Sequence, residues 1–400
     1  MSSSHTPSKA EIFFLYLSAL FQGMSFSIVP GAANFLTANS GLHFSEYEYG
    51  NLFILMIFGA IFASFFGSIL AKSLGSKPIL IFGLFLNTLA MGCFGLEKLF
   101  FLDINISYPL FLLLMFFLGS GFGACLCTLN NFAYHFFPKK QSTAITALHS
   151  FLGIGSALGP LLFLLFFKLE CWYVAPSLLT FIFFCLTLAV ATLFSKPKMQ
   201  SPSKAHSNTF SILLVVFALT ALLYGFSETL FGNWGTIYLH NNKQLSLEAS
   251  SYALSLFWGA VTASRIAITF IVLKTKAITV YLCLAPIILG SLIFLYFSQG
   301  NGENLLAFLI AGIGCSGFLP LTFSFAQSSF PKDSQRVAGQ ISSFYMMGYG
   351  LASWGVGAAV KSWHTPLSFI FNRAPLLILG LGILSFFIWK GSLKKERMKT

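Results

Sequence analysis

Charged side chains are scarce in this sequence. Asp, Glu, Lys and Arg make up 8% of its 400 residues, whereas a soluble globular chain carries about 25%. A soluble protein of this size would have too few charged groups to cover its surface. Apolar residues account for 56% of the chain, and Phe alone contributes 49 residues. This composition excludes a soluble domain, a disordered chain and a collagen-like fibre, and it indicates a protein that crosses a membrane many times.

Reactive and metal-binding groups are also few. The seven cysteines lie in or beside apolar runs without metal-ligand spacing, so we interpret them as packing residues. The histidines are scattered and do not cluster with carboxylates as a metal site requires. An intramembrane aspartyl protease needs two Asp within helices, but Asp103 and Asp333 fall in predicted loops. The sequence therefore predicts neither an enzyme nor a metal or cofactor site.

Twelve apolar runs are long enough to cross a bilayer as helices, which takes about 20 residues each. They predict an all-α integral membrane protein with 12 transmembrane helices. The predicted spans are 11–36, 47–71, 78–97, 108–134, 142–168, 173–194, 209–237, 249–273, 277–298, 304–329, 336–361 and 374–390.

The basic residues are distributed unevenly between the two sides that these spans define. Of the 23 lysines and arginines, 17 fall on the side that holds both termini, and Arg265 lies within a span. The other five are Lys98, Lys168, Lys243, Lys361 and Arg373. Cytoplasmic loops are enriched in Lys and Arg, so we expect both termini in the cytoplasm of a bacterial inner-membrane or plasma-membrane protein. The net charge of +12 then reflects topology and does not predict a nucleic-acid partner.

The two halves of the sequence resemble each other. LSALFQGMS at 17–25 matches LTALLYGFS at 219–227, and HSFLGIG at 149–155 matches SSFYMMG at 342–348. Further matching segments follow the same order, and a polar stretch lies near the midpoint. We expect an N-terminal six-helix bundle over 1–194, a cytoplasmic linker over 195–208 and a C-terminal six-helix bundle over 209–400.

Two six-helix repeats in parallel orientation resemble the major facilitator superfamily. The segment SILAKSLGSK at 68–77 is similar to the loop G-x-L-A-D-R-x-G-R-K of that superfamily, with Lys72 in place of the Asp. The resemblance implies the major facilitator fold, a substrate site between the halves near the membrane midplane, and a gating role for Lys72.

A narrower resemblance concerns the fucose permease-like branch of the superfamily. Residues 119–160, 224–239 and 255–265 resemble that branch, including a glycine-laddered helix that ends in Asn130. Its best-known members are proton-coupled importers of fucose and related monosaccharides. The acid that they carry in the same helix is replaced here by Leu126. The resemblance therefore implies a sugar:proton symporter in which another group carries the proton.

Glu228 is the acid that lies well within a predicted span. It precedes the stretch Gly232-Asn233-Trp234-Gly235, where the glycines are expected to break the helix. A charged side chain at membrane depth is costly and usually functional. We predict that Glu228 accepts and releases the coupling proton; the alternative is a structural carboxylate bonded to neighbouring helices.

Arg265 and His149 are two further candidates. Arg265 lies about 24 Å along its predicted helix at 1.5 Å per residue, near the cytoplasmic end, so we expect a gating or packing role. His149 is interpreted either as a buried neutral histidine or as a proton relay with Glu228.

Neutral amides and aromatic rings complete the candidate set. They suit a polyol, since amides bond to hydroxyls and rings offer a flat face, but the same groups also join helices. The predicted substrate-binding residues are Gln22, Asn34, Asn130, Asn131, Tyr224, Asn233, Trp234, Gln327, Tyr345 and Tyr349.

The sequence thus predicts a secondary active transporter, a monomer in the lipid bilayer, that moves a small polar solute by alternating access. A sugar-like substrate and proton coupling are the favoured reading. An exporter of amphipathic compounds or other metabolites, and a sensor of the same fold that has lost transport, remain the alternatives.

Overall fold

The computed structural model describes residues 7–38, 41–100, 104–138, 140–194, 211–330 and 334–397. These residues form helices and connecting turns, with no β-strand among them. The helices are α1 (Lys9–Gly31), α2 (Ala33–Thr37), α3 (Glu46–Leu74), α4 (Ser76–Phe100), α5 (Ile104–Phe136), α6 (Gln141–Lys168), α7 (Val174–Leu193), α8 (Ile212–Gly232), α9 (Gly235–Lys243), α10 (Leu247–Ile271), α11 (Ala277–Phe297), α12 (Asn301–Cys315), α13 (Phe318–Ser329), α14 (Ser334–Trp363) and α15 (Leu367–Arg397).

Within the described residues, eleven helical segments are long and apolar enough to cross a membrane. The predicted span 336–361 is present as α14, which has 30 residues and is therefore long enough, but it is less apolar than the others. Its polar residues include Tyr345, Tyr349 and Ser353, which face α8 and make hydrogen bonds there. The most polar of the twelve predicted spans thus carries part of the candidate site.

Side chains at the helix starts define several boundaries. The Ser8 hydroxyl accepts a hydrogen bond from the backbone N–H of Glu11, whose carboxylate accepts the Ser8 N–H in return. Ser45 and Glu48 form the same capping box at the start of α3. These reciprocal bonds satisfy backbone donors that the first helical turn leaves free.

The chain divides into two compact units, Met1–Pro202 and Ser203–Thr400. In the first unit, α1 packs on α6, α3 on α5, and α4 on both α5 and α7. In the second unit, α8 packs on α14, α10 on α12, and α11 on both α12 and α15. Both units therefore pair their helices in the same order along the chain. The predicted linker over 195–208 lies outside the described residues.

Glycines let the helices of each unit cross at backbone distance. A Cβ atom on Gly23 would overlap the carbonyl oxygen of Leu152, and one on Gly225 would overlap that of Tyr345. These two pairs occupy matching positions of the repeated segments 17–25 with 219–227 and 149–155 with 342–348. The same pair of crossings, α1 on α6 and α8 on α14, is thus built twice from the same small residues.

Three predicted spans are interrupted. The break predicted at Gly232–Gly235 is confirmed, because α8 ends at Gly232 and α9 begins at Gly235. The breaks between α1 and α2 and between α12 and α13, at Ser316 and Gly317, were not predicted. Each interruption removes intrahelical partners from nearby backbone carbonyls, which must then find donors elsewhere in the protein.

Another buried acid, Glu97, lies near the end of α4, where the predicted span 78–97 also ends. This residue lies within α4, three residues before its end, and its side chain is only 5% exposed. It accepts a hydrogen bond of 3.3 Å from the Ser107 hydroxyl. The helix extends beyond the predicted boundary because Leu96, Leu99 and Phe100 continue the apolar run.

Candidate functional site

The carboxylate of Glu228 lies at the centre of a polar cluster in the second unit. Tyr224 and Glu228 are four residues apart on α8 and therefore share one face of the helix. The Tyr224 hydroxyl donates to Oε1 of Glu228 at 3.0 Å, and the Tyr345 hydroxyl of α14 donates to Oε2 at 2.5 Å. Only 3% of Glu228 is exposed. The carboxylate is thus buried in the second unit and held by two phenol groups.

The cluster extends to the break between α12 and α13. The Tyr224 hydroxyl also lies 2.9 Å from the carbonyl oxygen of Cys315, the last residue of α12. Nε of Arg265 donates to the next carbonyl, that of Ser316, at 3.2 Å. Side chains therefore supply donors to two carbonyls that the interrupted helix leaves without their usual N–H partners.

Arg265 thus belongs to the surroundings of Glu228. Its charge interacts electrostatically with the Glu228 carboxylate, although its hydrogen bond goes to Ser316. Distance along the helix placed Arg265 near a membrane surface, but the depth of a Cα atom does not show where a long side chain reaches. The cation stabilises the region electrostatically without neutralising Glu228 through a direct bond.

A second, neutral cluster lies one turn further along the α8–α14 interface. The Tyr349 hydroxyl donates to Oδ1 of Asn233 at 2.6 Å, and Nδ2 of Asn233 donates to the Ser353 hydroxyl at 2.8 Å. Asn233 lies at the α8–α9 break, where the backbone leaves the helical path. Its amide therefore joins the broken span to α14.

Aromatic rings connect the two clusters. The rings of Tyr224 and Tyr345 stack with centroids 5.8 Å apart, and those of Tyr345 and Tyr349 are 6.3 Å apart. Tyr224 also stacks on Phe318, the first residue of α13, at 5.6 Å. The site thus combines a carboxylate, an arginine, an amide and several flat apolar faces.

The first unit carries a polar cluster of a different kind. Gln22 of α1 and Asn87 of α4 exchange amide hydrogen bonds of 3.3 and 3.0 Å, and both are fully buried. Nδ2 of Asn87 also donates to the carbonyl of Gly83 at 2.9 Å. Amides do not titrate, so this cluster keeps the same charge at every pH.

The sequence profile of the Major Facilitator Superfamily matches residues 15–358 of the chain. The chain belongs to the major facilitator superfamily. The expected superfamily and the all-α membrane fold are thereby confirmed. Members of this superfamily are transporters, which agrees with the polar clusters found between membrane-spanning helices.

Solved transporter structures share the fold at low sequence identity. The nucleoside transporter NupG has a TM-score of 0.70 at 14% identity, covering 96% of this chain and 99% of its own. A D-xylose-proton symporter has a TM-score of 0.77 at 14% identity, covering 95% and 97%. The E. coli fucose:proton symporter FucP has a TM-score of 0.63 at 17% identity, covering 94% and 98%. No curated protein sequence matches the chain significantly.

Of the other predicted binding residues, Asn130 and Asn131 belong to the first unit and Gln327 to α13 of the second. Nδ2 of Asn130 donates to the Leu126 carbonyl of its own helix at 2.8 Å, and Nδ2 of Asn131 donates to the Ser76 hydroxyl at 2.6 Å. Gln327 is an exposed residue of α13. These bonds show how each amide is held within its own unit, and a role in binding stays a prediction.

Asn34 and Trp234 lie at helix interruptions. Asn34 is a buried residue of the short helix α2, and Trp234 is a fully buried residue between α8 and α9. Both positions combine a polar side chain with a backbone that leaves the helical path. Their contact with a solute stays a prediction.

His149, the predicted relay residue, and Lys72, one of the two predicted gate residues, belong to the first unit. His149 is half-buried in α6, whereas the hydrogen bonds to Glu228 come from the tyrosines of the second unit. The backbone of Lys72 lies in α3, and its side chain is outside the described part of the structure. Both roles therefore remain predictions.

Sequence reasoning missed Asn87, Ser353 and the Cys315 carbonyl. Asn87 interrupts an apolar run, and the rule that singled out Gln22 would have found it. Ser353 follows Tyr349 by four residues, which places both on one face of α14. The role of the Cys315 carbonyl arises from the helix break, which Gly317 and Pro320 could have indicated.

Among the described residues, no group of three or more His, Cys, Asp or Glu side chains is arranged to hold a metal ion.

Proposed function

We propose that this secondary transporter moves a small, hydroxyl-rich solute together with a proton, and that Glu228 carries the proton. The observation behind the proposal is the environment of Glu228, a buried carboxylate held by two tyrosine hydroxyls. A carboxylate locked by a direct bond to a cation would be kept in its ionised form. A phenol can donate to an ionised carboxylate or accept from a protonated one, so both forms fit here.

The cost of burying charge supports a role in coupling. An ionised side chain at membrane depth is costly, by several kcal/mol at least, and binding of a proton removes that cost. The two protonation states therefore stabilise different conformations of the bundle. A proton that binds on one side of the membrane and leaves on the other would thus drive alternating access.

The neutral cluster of Asn233, Tyr349 and Ser353 supports a polyol substrate. Its amide and hydroxyl groups match the donors and acceptors of sugar hydroxyls, and the rings of Tyr224 and Tyr345 match the apolar face of a sugar ring. Two solved structures of the same fold are proton symporters of xylose and fucose, and a third is a nucleoside transporter. A pentose, a deoxyhexose or a nucleoside is therefore the first class to test.

The orientation is part of the proposal. We infer that both termini face the cytoplasm of a bacterial inner membrane or plasma membrane, because 17 of the 23 basic residues lie on that side. A cysteine introduced at Ser201 should then resist an impermeant maleimide added to intact cells, whereas one at Asn301 should react. The opposite pattern would contradict the orientation.

The coupling proposal is tested by Glu228→Gln in proteoliposomes. A thermal-shift screen with xylose, fucose, uridine, polyols, amino acids and carboxylates first selects the solute, because a bound ligand raises the melting temperature. Glutamine keeps the shape and hydrogen bonding of the protonated acid but releases no proton. We expect the variant to lose uphill uptake under an imposed pH gradient while it still exchanges labelled for unlabelled solute.

Glu97→Gln is the matched control. It removes another buried carboxylate of the same chain, in the first unit, and should leave uphill uptake intact. If Glu228→Gln accumulates solute as the unmodified protein does, Glu228 is structural and proton coupling through it is wrong.

A further inference from the structure

The Tyr224 hydroxyl has two acceptors and one hydrogen. Its oxygen lies 3.0 Å from Oε1 of Glu228 and 2.9 Å from the carbonyl oxygen of Cys315. A phenol donates one hydrogen bond at full strength. The hydrogen must therefore point to one acceptor or to the other, and the protonation state of Glu228 decides which.

When Glu228 is ionised, both of its oxygens accept. The Tyr345 hydroxyl donates to Oε2 and the Tyr224 hydroxyl donates to Oε1. A charged acceptor binds a donor more strongly than a carbonyl does. The Cys315 carbonyl then loses its donor from Tyr224.

When a proton binds at Oε1, the direction of the bond reverses. The new O–H of Glu228 donates to the Tyr224 oxygen, and the Tyr224 hydrogen turns to the Cys315 carbonyl. Tyr224 keeps its own proton, so no covalent bond of the phenol breaks. The proton is placed at Oε1 because, within the described residues, Tyr345 has Glu228 as its hydrogen-bond acceptor while Tyr224 has a second one.

Tyr224 bridges the break between α12 and α13. Its hydroxyl reaches Cys315, the last residue of α12, and its ring stacks on Phe318, the first residue of α13, with centroids 5.6 Å apart. Arg265 donates to the carbonyl of Ser316 between them. The break is therefore held by one fixed donor, since arginine stays protonated, and by one donor that Glu228 controls.

We propose that Tyr224 couples the protonation of Glu228 to the order of the α12–α13 break, residues 315–318. When Glu228 is neutral, the Tyr224 hydroxyl donates to the Cys315 carbonyl and stabilises the break. When Glu228 is ionised, the Tyr224 hydroxyl donates to the carboxylate instead, and the break becomes less stable. A carbonyl without a donor at membrane depth favours rearrangement, so the loosened break is the hinge. Tyr224 is thus a positioning residue, and this inference rests on the proposed proton coupling through Glu228.

Other ionisable groups near Glu228 do not supply the switch. Tyr345 and Tyr349 of α14, Cys315 of α12 and Arg265 of α10 interact with it electrostatically. Phenols, an apolar thiol and a guanidinium keep their protonation states near neutral pH. A pH response of the break in that range therefore reports on Glu228.

The test is amide hydrogen exchange of residues 315–318 as a function of pH, corrected for the intrinsic pH dependence of exchange. In the unmodified protein we expect exchange to slow by about tenfold on acidification, the change for roughly one hydrogen bond gained. Tyr224→Phe keeps the ring on Phe318 and removes the hydroxyl, and it should abolish this pH dependence. Tyr345→Phe removes the other phenol from the same carboxylate and should keep it.

Glu228→Gln provides a second test, which remains valid even if the Tyr224→Phe variant does not fold. Glutamine can donate to Tyr224 as the neutral acid does, so exchange at 315–318 should stay slow at every pH. Full pH dependence in Tyr224→Phe or in Glu228→Gln would overturn the relay. If Glu228→Gln abolishes uphill uptake while Tyr224→Phe keeps the pH-dependent exchange, proton coupling stands and the relay through Tyr224 falls.

Discussion

The two units use one backbone arrangement to hold different chemistry. Gly23 meets Leu152 where α1 crosses α6, and Gly225 meets Tyr345 where α8 crosses α14. In the repeated segments Gln22 stands where Tyr224 does. The first crossing thus carries an amide that bonds to Asn87, and the second carries a phenol that bonds to Glu228. The shared scaffold does not determine the function of the side chains that it holds.

The offsets that align the repeated segments also show where the two units differ in chemistry. The position of Glu228 corresponds to Phe26 in the first unit, and that of Cys315 corresponds to Phe122. The rings of Phe26 and Phe122 pack with centroids 5.0 Å apart. An apolar aromatic contact in the first unit is therefore replaced in the second by a carboxylate linked through Tyr224 to a backbone carbonyl. Of these matched positions, only that of Glu228 carries a side chain that can be ionised near neutral pH.

The largest expected effect is a loss of stability when the close helix crossings shared by both units are disrupted. A methyl group at Gly348 would overlap the Leu222 carbonyl, and one at Gly155 would overlap the Leu20 carbonyl. Overpacking of this kind destabilises by about 1–3 kcal/mol or more. We expect Gly348→Ala and Gly155→Ala each to lower the melting temperature in detergent.

Gly355→Ala is the control for this comparison. Gly355 lies on α14 like Gly348, but nothing lies within 4 Å of a Cβ atom there, so alanine should be neutral or stabilising. Equal melting temperatures for Gly348→Ala and Gly355→Ala would show that the close crossing does not constrain the bundle.

The sequence predicted what is encoded locally. The apolar runs, the break at Gly232–Gly235 and the burial of Glu228 depend on neighbouring residues in the chain. The bonds of Glu228 to Tyr345 and of Gln22 to Asn87 join helices far apart in sequence, so no local pattern shows them. The break before Phe318 does have a local signal, since Gly317 precedes it and Pro320 has no N–H to donate to the Ser316 carbonyl, but the apolar run hid it.

Asn87→Ala tests the amide pair of Gln22 and Asn87 in the first unit. The variant removes the two Asn87 atoms, Oδ1 and Nδ2, that bond to the Gln22 amide. A buried polar group left unsatisfied costs about 1–3 kcal/mol. We expect a lower melting temperature together with an unchanged pH profile of transport. A shifted pH profile would mean that the first unit also takes part in coupling.

Arg265→Lys is expected to have a smaller effect. Lysine keeps the positive charge near Glu228 but loses the planar guanidinium that donates to Ser316. We expect solute affinity to stay nearly unchanged while the transport rate falls by several-fold to about tenfold, the effect of one weakened hydrogen bond to a charged group. Parallel binding and uptake measurements report the solute affinity and the transport rate separately. A large loss of affinity in a folded variant would place Arg265 in contact with solute.

The central claim is that the coupling proton binds to Glu228, and proton uptake measures it directly. Proteoliposomes are placed in a weakly buffered medium, and the external pH is followed when the solute selected by thermal shift is added. The unmodified protein and Glu97→Gln should both make the medium more alkaline as solute enters. Glu228→Gln should bind solute and produce no pH change. Solute-driven proton uptake in Glu228→Gln at the rate of the unmodified protein would contradict the account.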